Sequence, residues 1–407
     1  MSEKRLFTIV GLLAVGAVLL LVLLHHDRFE PAHLAGAATG EADASGPHLK
    51  WKFNTDNNSA VASIVLGKDG TIFVGANNAL YAIAPDGTRQ WKTTLAGLNY
   101  LAESEDGTLY VASSHGLAFS VLPNGTLSWN PRQGMIGFGG PPAIGRNGYV
   151  LFANTVSDLF AFRPDSADSP EWSQGTFRPG IINVNSSLPG EASVGMNVRN
   201  SPAIWRDETI ALPRQHWMHR FDPDGTSAWF SELTPGNLGA AALGDDGTIY
   251  VADDRGTFFA VGRSGNTLWT SALEGGVLGS AVIGADNTVY LSTGYSVYAL
   301  APSGAVKWQT KAPMQGTTAP VLAEDGTVYV AGATGIFAIR ADGSLKWTLR
   351  AMSGTGAPTI APDGTIYYPC GYMWVCAVQD EGSPLAHSPW PKMFHDPANT
   401  SRILTTF

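Results

Sequence analysis

The chain has 407 residues, room for two or three average domains or for one large repeat fold, so length alone selects no architecture. Charged residues make up only 14%, while Gly (47), Pro (25) and Trp (12) are plentiful, which suits many short strands joined by tight turns and speaks against a helical protein. A net charge of −9 argues against a nucleic-acid partner, and two cysteines exclude a disulfide-scaffolded fold.

Residues 1–5 carry Lys4 and Arg5, and residues 6–24, LFTIVGLLAVGAVLLLVLL, follow without a charge. At about 1.5 Å per residue this stretch spans a ~30 Å hydrocarbon core as a transmembrane signal-anchor helix. The positive-inside rule then keeps residues 1–5 cytoplasmic and exports the remainder, placing the chain in the inner (cytoplasmic) membrane with its bulk on the periplasmic or extracellular side. A cleaved signal peptide is the competing reading, with Ala35-Gly36-Ala37 as its site, but the apolar run is longer than a usual signal core. Residues 25–46 lose their large apolar side chains toward Gly46 and read as a flexible tether, so the folded domain occupies 47–407.

From there a repeat governs the sequence. Asp-Gly-Thr-like turns recur at Asp69, Asp106, Asn147, Asp207, Asp246, Asp286, Asp325 and Asp363, at intervals near forty residues except for one gap of 60. Strands such as TIFV, TIYV and TVYL follow these turns, with the copy at Asn147 the loosest. The first unit shows the pattern: SIVLG, the Lys68-Asp69-Gly70 turn, TIFVGA, an Asn77-Asn78 hairpin tip, ALYAIA, the Pro85-Asp86-Gly87 turn and TRQWKTT. Four strands per unit is a β-propeller blade, and the fold expected is all-β with eight blades, seven being the alternative.

Each unit ends at a tryptophan: Trp91, Trp129, Trp172, Trp229, Trp269, Trp308 and Trp347. One large ring per blade, at one height on the outer strand, can dock against the neighbouring sheet and set its stagger. HLKWKFN at 48–54 is a fourth strand with its own Trp51 and no blade before it, while the eighth unit (PTIAP, TIYYPC, MWVCAV) lacks an outer strand. Pairing the two would close the ring and leave no open edge; the alternative gives that strand to Trp390. Cys370 and Cys376 flank the tip of the last hairpin, so two readings stand: a disulfide in an oxidising compartment, or two small buried hydrophobes.

The strand-final Ala, turn Gly and docking Trp, seen as Ala82, Gly87 and Trp91 or as Ala338, Gly343 and Trp347, make these units resemble the PQQ-like (quinoprotein-type) propeller repeats over nearly all of 48–378. The Ala-to-Trp spacing is one residue shorter than the family's usual spacing, because Pro-Asp-Gly replaces a longer turn. The resemblance implies one of two things. Quinoprotein dehydrogenases of this family bind pyrroloquinoline quinone (PQQ) with calcium, often beside a disulfide of adjacent cysteines, which this chain lacks; none of their catalytic residues maps onto a motif here. The BamB-like branch is made of non-enzymatic periplasmic scaffolds. Size, single-domain build and export fit that branch, although its members are lipoproteins and this chain has a helix instead.

The loops joining blades and the tips joining strands two and three fall on one face of a propeller. Two connections are long, Asn130–Pro142 and Ser173–Ser201, and with the tip Pro213–Trp217 they would gather Arg132, Phe138, Arg178, Arg199, Arg214, His216 and Trp217 into a basic, aromatic patch. Solvated loop charges are the plain alternative. His216 and His219, three apart on an alternating strand, point to opposite faces and make a poor metal pair. Trp390, Met393 and Phe394 are expected to anchor a Pro-rich tail along the propeller, with His395 and Asp396 as a minor catalytic candidate. The function expected is a membrane-anchored, non-enzymatic binding or scaffold propeller for an envelope protein or extended polymer, without a cofactor. The alternative is an enzyme working in the propeller channel, as a quinone-dependent oxidoreductase or a polymer hydrolase or lyase.

Overall fold

The computed structural model describes residues 46–403 apart from 57–59, 130–136, 139, 155–157, 165–169, 176–200 and the positions 278, 314, 355 and 397. The apolar segment 6–24 and the tether up to residue 45 lie outside the described residues, and no helix among the described ones is long and apolar enough to cross a membrane.

The unit around Asp286 shows how the repeat sequence becomes a sheet. Asp286 Oδ1 accepts a hydrogen bond from Thr288 N at 3.0 Å, which folds the turn between the strands Val282–Ile283 and Val289–Ser292. Two further strands, Ser296–Leu300 and Val306–Lys311, add antiparallel, with Tyr290 opposite Ala299 and Ala299 opposite Trp308. Both faces of the two middle strands are buried, because each sheet is packed between two others. The outer strand alternates between exposed and half-buried positions.

The hydrogen-bonded sheets number seven among the described residues, six of four strands and one of five, so the all-β propeller has seven blades counted as sheets. This corrects the expected eight. Strands β1 (His48–Asn54), β2 (Val61–Leu66), β3 (Ile72–Ile83), β4 (Arg89–Glu103), β5 (Leu109–Ser113) and β6 (Ala118–Val121) open the fold, and β2 to β6 form the single five-stranded sheet that holds the first two repeats. The cause is the shortness of the link. Residues 95–98 alone separate the outer strand of the first repeat from the inner strand of the second, whereas 233–241, 273–281 and 312–320 do this work elsewhere. The chain therefore runs through as β4, whose first half pairs with β3 (Trp91 opposite Ala82) and whose second half pairs with β5 (Leu101 opposite Val111).

The ring closes through β1, which pairs antiparallel with Trp374–Gln379, setting Trp51 opposite Ala377 and Phe53 opposite Val375. Beside this seam Cys370 and Cys376 are disulfide-bonded, with Cα atoms 5.7 Å apart. They sit diagonally across the hairpin, since Cys376 pairs in register with Tyr368 and the Cys370 amide bonds to Trp374 O. Neighbouring repeats are joined by the tryptophans. Trp51, Trp91, Trp229, Trp269 and Trp308 donate their indole N–H to Pro85, Pro123, Arg263, Pro302 and Ala341 O of the following repeat at 2.8–2.9 Å. Trp129 does the same to Pro164 O at 3.0 Å, and Trp347 bonds the Asp380 carboxylate at 2.8 Å. The Trp172 ring rests on Gly225 without an indole hydrogen bond among the described residues.

The C-terminal tail does not run along the outside. It crosses the bore of the ring and bonds the inner strands in turn: Trp390 O accepts from Ile283 N, Pro391 O from Leu322 N, Ala398 O from Glu103 N, Thr400 O from Ile144 N and Ser401 O from Ile204 N, at 2.7–3.0 Å. Trp390 and Ile403 are buried in the large core cluster, and Met393 packs on Ala240 and Ala319 with Phe394 beside it.

Candidate functional site

Connections and strand two–three tips share one face because they are stitched to each other. Leu238 N bonds Gln215 O at 2.7 Å and Asp254 N bonds Asn237 O at 3.0 Å, so the connection 233–241 is held between the tip before it and the tip after it. Within this rim the bore forms a funnel of ≈ 340 Å³, walled by small residues such as Gly239, Gly279, Thr317 and Ala319. Its floor is the tail, through Lys392, Met393 and Phe394. Lys392 is fully buried, and its ammonium donates to Met393 O (3.0 Å), Asp396 O (3.1 Å) and Asn399 Oδ1. Burial brings this lysine down to about 8, Asp396 opposing the shift.

Arg214, His216 and Trp217 are gathered at one tip on this face, turned by Gln215 at φ 43°. His216 Nδ1 is hydrogen-bonded to Gly236 O at 2.8 Å, which ties the tip to the connection, and Trp217 meets the exposed Phe230 edge to face at 5.8 Å. Phe138 does not belong with them, a correction to the expected patch. Its amide bonds Ser113 O, which draws the ring inward to pack on Phe152 at 5.4 Å, leaving it 2% exposed. Arg132, Arg178 and Arg199 lie outside the described residues. His219 is buried, stacked on Phe221 at 5.9 Å and on Phe230 at 5.8 Å, and burial with the nearby Arg214 charge lowers its pKa to about 4.

A quinone tricarboxylate does not fit the funnel. Among the described lining residues Lys392 is the only cation, and its three donors are already used on tail oxygens, while the Asp254 carboxylate is taken up by Asn237 at 2.8 and 3.0 Å. No group of three His, Cys, Asp or Glu placed to hold a metal ion occurs among the described residues. His395 and Asp396, 3.5 Å apart, are buried in the tail, where Asp396 accepts from Thr400 N at 2.9 Å and holds the turn.

A feature that sequence reasoning missed lies on the opposite face, beside the Asp-Gly turns. A cavity of ≈ 890 Å³ opens there between the first three repeats, the last one and the tail, and Glu103 lines it. Counted back from the turn aspartates, Glu103 occupies the place that Leu66, Ile144, Ile204, Leu243, Ile283, Leu322 and Ile360 take in the other repeats. That one carboxylate at an aliphatic position was visible in the aligned units. Its significance needed the cavity.

This is a propeller with a blind bore, a glycine-lined funnel on the connection face and a separate cavity on the turn face. The family model described as outer membrane protein assembly factor BamB matches residues 214–353 and 263–393, so over this part the chain is similar to the PQQ-like, BamB-like propeller family. The structure is similar to that of BamB from Moraxella catarrhalis, with 14% identity and a TM-score of 0.65 over 82% of this chain and 99% of that one. It is also similar to the computationally designed Ika8 protein, with 11% identity and a TM-score of 0.62 over 80% and 98%. At such identities these two likenesses speak for the fold alone. No curated protein matches the sequence.

Proposed function

We propose that this chain is a non-enzymatic scaffold of the cell envelope, held in the inner membrane by residues 6–24, that offers its connection face to a protein partner. The observation that carries the reading is the floor of the bore. A tail bonded to the inner strands of five repeats leaves no passage for a polymer, so an incoming molecule meets a rim and a shallow funnel. On that rim the Arg214–Trp217 tip supplies an aromatic anchor beside a cation, with Phe230 47% exposed next to it, the composition of a protein-binding hot spot. The family match to an outer membrane assembly factor supports the same reading.

The test is photo-crosslinking in the native membrane with a benzophenone side chain at position 217, and at position 286 on the turn face as the control. Discrete adducts with an envelope protein are expected from 217 and not from 286, and Trp217→Ala should weaken the capture at an unchanged melting temperature. Equal labelling from both positions, or none from 217, removes the connection face as the docking surface. Protease added to intact spheroplasts should digest the propeller; full protection would place it in the cytoplasm and overturn the export.

A further inference from the structure

We propose that the turn-face cavity binds an organic ammonium ion, with the Glu103 carboxylate as its counter-ion. Glu103 is 6% exposed, and no hydrogen bond or ion pair reaches its carboxylate among the described residues, although its backbone amide is held by Ala398 O at 2.9 Å. A carboxylate that has replaced an aliphatic side chain, is buried, lines a cavity and has no donor is costly to keep without a positive guest.

The surroundings select the guest's chemistry. Asp69 and Asp106 from the turns and Asp396 from the tail bear on Glu103 with negative charge, against Lys68 alone. The cations around the cavity are engaged or peripheral. Arg402 pairs with Glu105 at 3.3 Å, Lys68 donates to Glu105 O at 3.2 Å, and Arg146 is exposed. Arg402 Nε is left buried without a partner among the described residues, so benzoate is the control that separates anion binding from ammonium binding. A divalent metal finds no three-ligand cluster among the described residues. Leu66, Ile144, Val150, Tyr110 and Tyr367 give the cavity an apolar wall, so the fitting guest has a charged amine head and a hydrocarbon body. Burial first, then the neighbouring carboxylates, push Glu103 up to about 7, and a bound ammonium would draw it back down. Binding at pH 6 therefore releases a proton.

The experiment is calorimetric titration of the full chain in phosphatidylcholine nanodiscs with benzylammonium, against benzyl alcohol, benzoate and calcium, with empty nanodiscs as the blank. Saturable one-site binding of benzylammonium alone is expected at pH 8. Below pH 7 its affinity should fall up to about tenfold per pH unit as the guest competes with the proton on Glu103. Glu103→Gln should lose the binding and the proton release, and Glu103→Leu, which restores the side-chain type of the other repeats, should lose both while melting no lower than the parent. Absence of saturable binding in the parent, equal binding in Glu103→Leu, or preference for benzoate, benzyl alcohol or calcium overturns the proposal.

Discussion

His219 shows how a single side chain can be read only in part from its neighbours in sequence. Alternation along the strand correctly separates it from His216, and the structure gives the two different tasks: one ring ties a tip to a connection, the other is stacked between phenyl groups. The stacking was not legible, because Phe230 comes from the next strand. Burial holds the folded-state pKa near 4 against an ordinary 6.5, so the folded chain refuses a proton that the unfolded chain accepts. Stability from this residue is therefore complete above pH 6.5 and is lost as pH falls toward 4, by up to about 3 kcal/mol. In His219→Phe that part of the acid sensitivity should vanish. Urea melts of both proteins at pH 7 and pH 4.5 measure the difference, and parallel losses would mean that the imidazole is exposed to water in solution.

At the level of the strand, the repeat was legible because its chemistry is local. Each Asp folds its own turn, and outer strands such as Thr267–Ala272 and Val306–Lys311 show their alternation, within a window of forty residues. What the tryptophans rest on was less plain. Six of the rings lie over the positive-φ glycine of the next repeat: Trp51 on Gly87, Trp91 on Gly125, Trp172 on Gly225, Trp229 on Gly265, Trp269 on Gly304 and Trp308 on Gly343. Glycine is needed there twice, for φ and for the space the indole fills; a Cβ at Gly304, φ 86°, would come 2.6 Å from the Trp269 ring. Gly304→Ala should thus cost about 2–4 kcal/mol, the sum of backbone strain and overpacking. In a Trp269→Ala background only the strain remains, about 1 kcal/mol, so the double mutant should be markedly more stable than the sum of the two losses implies. Additive losses in denaturant melts would show that ring and glycine do not touch. The same local legibility explains the miss in the blade count. Eight turns and eight docking rings were readable, but whether two units merge into one sheet depends on residues 95–98, whose extended run through β4 is set by pairing with β3 and β5.

The whole ring is held by two ends of the chain that sequence reading treated unequally. Closure by β1 could be deduced, since an outer strand without a blade and a blade without an outer strand leave one pairing. The route of the tail could not, because its partners are hundreds of residues away: Asn399 Nδ2 donates to Ser63 Oγ, Ile64 O and Leu101 O, each at 3.3 Å, across separations of 336, 335 and 298 residues. Trp390, Met393 and Phe394 were recognised as anchors from their size alone, and nothing in the tail itself says that it enters the bore. In the folded ring this segment satisfies inner-strand amides of five repeats and buries Trp390 and Ile403, which makes it a part of the core that happens to be joined to the propeller by a short link. The link is accessible: Glu381 is exposed, and the residues on either side, Asp380 and Ser383, are tied to the ring through Trp347 and Asp325. A protease site inserted between Glu381 and Gly382 should therefore be cut without consequence for the assembly. The tail peptide is expected to co-elute with the ring on size exclusion in native buffer, to leave it only in denaturant, and to leave it more readily in Lys392→Met, where three tail oxygens lose their donor at a cost on the order of 2–4 kcal/mol. A tail peptide that separates from the folded ring on cleavage would mean that the bore is open in solution, and that the blind-funnel basis for a scaffold function does not hold.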